Sequence, residues 1–185
     1  MFTGLADTTG EESLGGLMAA SPSTCTHLVT DKFRRTVKAL SCIAKGIPIL
    51  SMAWLDSCRA SGSFIDHTPF LLKDKAAEKT MKFNLEATLG RAASEGGILN
   101  GWSLHATPNV LPPPQDMKEI VSCAGGKYLA KMPTRYADKT VIVSCEEDRR
   151  TLAQAKKSRI PVVTAEFVLS GLLRYQLDVE KHTLT

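Results

Sequence analysis

The chain has 185 residues, 43% of them apolar, enough for one medium domain or two small ones and too apolar for a disordered chain. Twenty-three Lys and Arg against 19 Asp and Glu give a net charge of +4, below what a dedicated nucleic-acid binder carries and suited to an acidic or phosphorylated partner. No apolar run reaches the roughly 18 residues that a membrane-spanning helix needs, so no membrane association is expected. The opening Met1-Phe2-Thr3-Gly4 lacks the basic and apolar regions of a secretory leader. The five cysteines, odd in number and never at CxxC spacing, read as reduced thiols rather than a zinc site or disulfide framework.

In chain order, Phe2-Thr3-Gly4 reads as the end of a strand, which offers a hydroxyl and an unhindered glycine amide. A short helix at Glu11–Leu14 precedes a Gly15-Gly16 turn. A buried strand is expected at 28–30. Next comes a helix whose inner face is Phe33, Val37, Leu40 and Ala44, capped by Thr30 or Asp31 and ended by Gly46. A second buried strand follows at 47–50, then Ala53-Trp54-Leu55-Asp56-Ser57-Cys58. Residues 74–100 begin charged and turn amphipathic through Phe83, Leu85, Leu89 and Ala92, ending at the Glu95-Gly96-Gly97 turn. They read as a linker with one helix docked on both neighbours. Pro112-Pro113-Pro114 is a stiff segment leading into a helix at Gln115.

The second half repeats the first. Gly125-Gly126 answers Gly15-Gly16, and the strand at 141–144 answers 28–30. Arg159-Ile160-Pro161-Val162-Val163 answers Gly46-Ile47-Pro48-Ile49-Leu50, and Ala165–Ser170 answers Ala53–Cys58. Two homologous units of about 80 residues is the economical reading. The expected division is 1–73, 74–100 and 101–185. Strand–helix–strand order makes each unit α/β, a small parallel sheet with right-handed crossovers.

Catalytic signatures are absent. There is no G-x-G-x-x-G and no P-loop, and His27, His67, His105 and His182 show no metal-ligand spacing. No enzyme, cofactor or metal site is expected. A cationic run does stand out: Lys32, Arg34, Arg35 and Lys38 fall within seven residues, a spacing that repels on a helix unless an anion sits among them. Arginine is the residue suited to bidentate grip of a carboxylate.

The Gly-Gly turns, the buried strands, and Trp54 followed by Cys58 near the last helix of the first unit resemble the BRCT repeat. Phe167 stands where that family usually has Trp. The more specific segments are Thr26–Lys38, Thr107–Pro114 and Ala165–Gly171. The resemblance covers nearly the whole chain and implies two BRCT repeats packed head to tail through a helical linker. It further implies a phosphoserine-peptide reader in a DNA damage response adaptor, acting in DNA repair and cell cycle checkpoints in the nucleus.

The same resemblance assigns roles. Thr3, Gly4 and Lys38 hold the phosphate. Arg35, with Arg34, takes the peptide carboxylate and main chain. Pro112, Asp116 and Glu166 form a pocket for a terminal aromatic side chain. Asp116 stands where a Gln is expected, and the stretch from Gly4 to Gly15 is about one helical turn, ~3.6 residues, shorter than in the family. The implied partner is the phosphorylated C-terminal tail of a damage-marking histone variant in chromatin, of the Ser-Gln-Glu-Tyr type with a free carboxylate, besides other phosphoserine proteins. A competing reading is a phosphate-independent scaffold or DNA-end-binding module, for which Arg149, Arg150, Lys156, Lys157 and Arg159 are the candidates.

Overall fold

The computed structural model describes residues 2–3, 14–22 and 24–184, the side chains of Phe2, Thr3 and Gln154 excepted. The short helix expected at Glu11–Leu14 lies almost wholly outside them. Two parallel sheets form, one in each half. In the first, β1 (Phe2–Thr3) pairs with β2 (His27–Val29), which pairs with β3 (Ile49–Leu50). Helix α1 (Val37–Ala44) joins β2 to β3, and α2 (Ala53–Ser61) follows β3. Short apolar strands between helices are buried on both faces, so they read as continuous apolar runs.

Helix α1 begins four residues later than its apolar spacing suggests. Thr36 is the N-cap, its hydroxyl accepting from the Ala39 amide. Residues 31–35 are held outside the helix by other bonds. Asp31 takes both ends of the Arg34 guanidinium, and the Phe33 amide donates to Asp74 at 3.0 Å. Phe33 is still buried, with its ring against Phe83 at 4.9 Å. The apolar periodicity marked a core residue correctly but assigned it to the wrong element.

The linker carries two helices where one was expected: α3 (Lys75–Met81), capped by Asp74, and α4 (Leu85–Glu95), capped by Asn84. Lys82, at φ 55°, breaks the helical run between them. Asp74 therefore serves twice, capping α3 and holding the Phe33 amide.

In the second half, β4 (Ser103–Ala106) lies inside a four-stranded sheet, with β5 (Lys127–Tyr128) on one side and β6 (Thr140–Val143) on the other. The far edge is β7 (Val162–Val163). Helix α5 (Pro114–Cys123) starts with proline at its first position, where no amide is needed. A short α6 (Ala153–Lys157) precedes β7, and α7 (Glu166–Arg174) follows it. The strand order β5-β4-β6-β7 contains the β1-β2-β3 order of the first sheet as β4-β6-β7, so the internal repeat seen in the sequence is a repeat of topology.

One core joins the halves. Leu40 and Ile43 of α1 pack in a single cluster with Met117, Ile120 and Val121 of α5 and with Leu169 and Leu172 of α7, and α4 adds Leu85 and Leu89. Gly46, at φ +66°, ends the α1 turn directly against α4, where a Cβ would come within 3.0 Å of the Ala93 amide. Thr88 of α4 donates to the Leu173 carbonyl at 2.6 Å, the Tyr175 hydroxyl donates to the Gly96 carbonyl, and Arg91 lies over the Tyr175 ring. Trp54 and Phe167 are each buried in their own half, so the smaller ring of Phe167 fills the equivalent place, tilted against Trp102.

Candidate functional site

A cavity of about 560 Å³ opens at the C-terminal end of β2. Its wall is built from Leu28 to Thr30 of the strand end, Lys32 and Arg34 of the following loop, and Thr36 and Lys38 at the start of α1. A parallel strand–helix unit brings strand ends and helix starts together, which is why residues from both meet here. Thr3 is in register with Leu28, so β1 runs along the strand that lines the cavity. The Thr3 side chain and Gly4 lie outside the described residues. Of the three expected phosphate ligands, Lys38 is therefore at the cavity and Thr3 is one strand away by its backbone.

The cations of this cavity are not equivalent. Arg34 is clamped by Asp31 at 2.7 and 3.0 Å, and that bond holds the Asp31 carboxyl down at about 2. The pair is close to neutral as a unit. Among the described residues, neither Lys32 nor Lys38 takes part in an ion pair, so they supply the positive charge.

Arg35 points elsewhere, to the junction of the halves. Its two terminal nitrogens meet the two oxygens of Glu166, the first residue of α7, at 2.9 and 2.8 Å. The Ser170 hydroxyl donates to the same carboxylate. Burial pushes the Glu166 carboxyl up, but the bonds from Arg35 and Ser170 and the charge of Arg35 outweigh it and hold the group below its usual range.

Two grooves flank this pair. One, about 440 Å³, is lined by Arg35, Val37, Leu40, Leu111, Pro112 and Leu169; its floor is apolar and its end cationic. The other, about 450 Å³, runs past Lys82, Ser170 and Arg174. Of the three residues expected to form a pocket for a terminal aromatic side chain, Pro112 lines the first groove. Glu166 orients Arg35 instead of lining that groove, and Asp116, in the first turn of α5, is among the lining residues of neither.

Sequence reasoning missed Leu111, Leu169, Lys82 and Arg174. Leu111 carried a signal: a large apolar residue ahead of three prolines, and it is 75% exposed on the groove wall. The others gave none, since they become neighbours only when α3 and α7 close on α1.

The matching place in the second half is chemically inverted. The Thr30 amide donates to the Leu50 carbonyl, and the Ser144 amide donates to the Val163 carbonyl, so these two residues correspond. After Thr30 come Asp31, Lys32, Phe33 and Arg34. After Ser144 come Cys145, Glu146, Glu147 and Asp148. The buried Asp148 accepts from the Asn109 amide at 2.8 Å and from its side chain at 2.7 Å. Its own burial raises its carboxyl, but bonds from Thr107 and Asn109 bring it below the usual range. An anion therefore already fills this strand end.

A profile described as BRCT domain matches residues 97–183, and one described as Regulator of Ty1 transposition protein 107 BRCT domain matches residues 6–72. The chain belongs to the BRCT family. It is a tandem BRCT pair, and a solved pair, the Schizosaccharomyces pombe Brc1 BRCT5-BRCT6 domains, has its fold, with a TM-score of 0.76 at 23% identity over 98% of this chain and 95% of that one. A complex of Rtt107p with a phosphorylated histone matches with a TM-score of 0.68 at 10% identity, covering 100% of this BRCT pair and 91% of that chain.

In sequence the pair is 41% identical over 188 residues to mediator of DNA damage checkpoint protein 1 of Rattus norvegicus, and 36% identical over 179 residues to PAX-interacting protein 1 of Bos taurus. The alignments cover 100% and 91% of this chain, but it spans only 15% and 18% of the lengths of those relatives. It is a BRCT pair of the kind found in a DNA damage checkpoint mediator.

Proposed function

We propose that this BRCT pair is a non-catalytic reader of a phosphoserine peptide with a free C-terminus, specifically the phosphorylated tail of a damage-marking histone variant in nuclear chromatin. The carrying observation is the division of cations around α1. Lys32 and Lys38 face the strand-end cavity, and Arg35 faces the junction groove, on the same short segment. A phosphate needs a cation with hydroxyl and amide donors, which Lys38, Thr3 and Gly4 supply in this reading. A carboxylate needs a guanidinium, here Arg35. The apolar groove past Leu111, Pro112 and Leu169 takes the terminal aromatic ring.

The inverted charge of the second repeat supports a single phosphate, bound to the first. The segment after Ser144 is acidic and Asp148 already satisfies the donors there, so a phosphate would meet repulsion. Arg34, neutralised by Asp31, contributes less than Lys38 and acts on the peptide main chain. The Rtt107p complex and the mediator relatives make a phosphorylated histone tail the first partner to try.

The reading is tested with Lys38→Met. The substitution keeps an unbranched side chain one atom shorter and removes its charge at an exposed position, so the circular dichroism spectrum should be unchanged. Calorimetric affinity for a phospho-Ser-Gln-Glu-Tyr acid peptide should fall by about 1.5–3 kcal/mol, the worth of a charged hydrogen bond. Retained affinity in the folded variant would remove Lys38 from the phosphate site.

A further inference from the structure

We propose that the edge of the second sheet opposite the peptide groove is a binding face for the phosphate backbone of duplex DNA. All four strands of that sheet are parallel, so all begin at one edge and end at the other. Glu166 follows β7 at the ending edge, where the peptide groove lies. The beginning edge carries a row of cations. Lys127 opens β5, Lys139 immediately precedes β6, and Arg159 comes three residues before Val162.

Lys139 and Arg159, each in the left-handed conformation at φ 51° and 54°, lie in the turns that lead into the neighbouring strands β6 and β7. From β5, which Lys127 opens, to β7 this edge crosses three strand spacings, about 14 Å. Helix α6 ends at this edge with Lys156 and Lys157. The loop between β5 and β6 is brought to it by the Ser158 hydroxyl, which donates to the Thr134 carbonyl at 2.6 Å, and by Met132, which packs on the cluster of Ala155 and Ile160. Arg135, next to Thr134, arrives with that loop, beside Tyr136, which is 60% exposed.

The six cations Lys127, Arg135, Lys139, Lys156, Lys157 and Arg159 are exposed, and among the described residues none takes part in an ion pair. Asp138 is the one acid within 127–145 and 153–165. The face therefore holds more positive charge than the whole chain's net +4, and the remainder of the molecule is net negative. An ordinary solvated surface intersperses both signs; here they are segregated. A flat row of cations with an exposed aromatic ring matches a line of backbone phosphates, not a compact anion that needs a pocket. Because the two faces lie at opposite edges of one sheet, DNA and peptide can bind at the same time.

The test uses the full chain and a fluorescein-labelled 20-base-pair duplex, with anisotropy read between 50 and 200 mM salt. The expected slope of log affinity against log salt is about −3 to −5, at roughly 0.9 per phosphate neutralised. Closing the duplex ends with hairpins should leave affinity unchanged, since the face reads backbone. The triple variant Lys139→Gln, Lys156→Gln, Lys157→Gln should bind at least about tenfold more weakly with a slope shallower by about 2–3, while its affinity for the phosphopeptide stays the same. Absence of duplex binding at 50 mM salt, or unchanged binding by the variant, would overturn the proposal. Displacement of the duplex by poly-glutamate at equal charge as effectively as by unlabelled duplex would also overturn it, assigning the face to an acidic protein.

Discussion

Arg35 and Glu166 are 131 residues apart in the chain, yet they form a two-point ion pair between the two repeats. With the side chains 35% and 39% exposed, the pair contributes on the order of 0.2–1 kcal/mol to stability, the range for a solvent-screened bridge. Its weight is in orientation. Arg35 has five N–H donors and Glu166 takes up two of them, so three remain on a side chain that lines the groove. In the proposed reading a peptide carboxylate meets a guanidinium that is already half neutralised, so amidating the peptide C-terminus should cost about 1.5 kcal/mol, the low end for a charged bond. Calorimetry with acid and amide peptides measures this directly, and equal affinities would exclude Arg35 as the carboxylate reader. The sequence made Arg34 and Arg35 visible as a cationic pair but could not separate them. Asp31, three residues from Arg34, decides which is clamped locally, and Glu166, from the other repeat, decides which faces the groove.

Between elements, the contact with a readable pH signature joins β2 to α2. His27 stacks on Trp54 at 4.8 Å with His67 edge-on at 5.1 Å. Burial, then the neighbouring His67, pushes the His27 ring down to about 4. The unfolded chain takes up this proton near its ordinary value of about 6.5, while the folded chain does so only near the lower value. Stability from this group is thus complete above pH 6.5 and is lost as pH falls toward 4, before most carboxylates titrate. Allowing for partial solvent exposure, the loss should be on the order of 1 kcal/mol. Urea unfolding at pH 7 and pH 4.5 should show the drop in wild type and a smaller one in His27→Gln; an equal drop in both would refute this origin.

The elements themselves were largely legible, because short apolar runs and 3.6-residue periodicity survive in any context. What was not legible depended on distant partners. Helix α1 starts late because Asp74, from the linker, holds the Phe33 amide. The linker splits in two at Lys82, whose left-handed conformation no residue type announced. Strands β4 and β5 were not read because β4 is an alternation of only four residues and β5 is two residues long.

As a whole molecule, the pair is held by one core cluster that spans both repeats, with a smaller cluster in each. Ile43, fully buried in α1, belongs to the same cluster as Ile120 and Leu172 of the second repeat. Ile43→Ala should cost about 2–5 kcal/mol and shift a single urea transition monitored by both tryptophans, Trp54 in the first repeat and Trp102 in the second. Two separated transitions would mean the repeats fold independently. One rigid body is what the proposed function requires, since the cavity proposed for the phosphate lies in the first repeat and the groove proposed for the tail end is shared by both. The most direct measurement is a calorimetric titration of the intact pair with two peptides ending Ser-Gln-Glu-Tyr acid, identical except for phosphate on the serine. The phosphorylated peptide should bind with a Kd near 1 μM, about −8 kcal/mol, and the unphosphorylated one at least about tenfold more weakly; equal affinity for the two would contradict phosphate recognition.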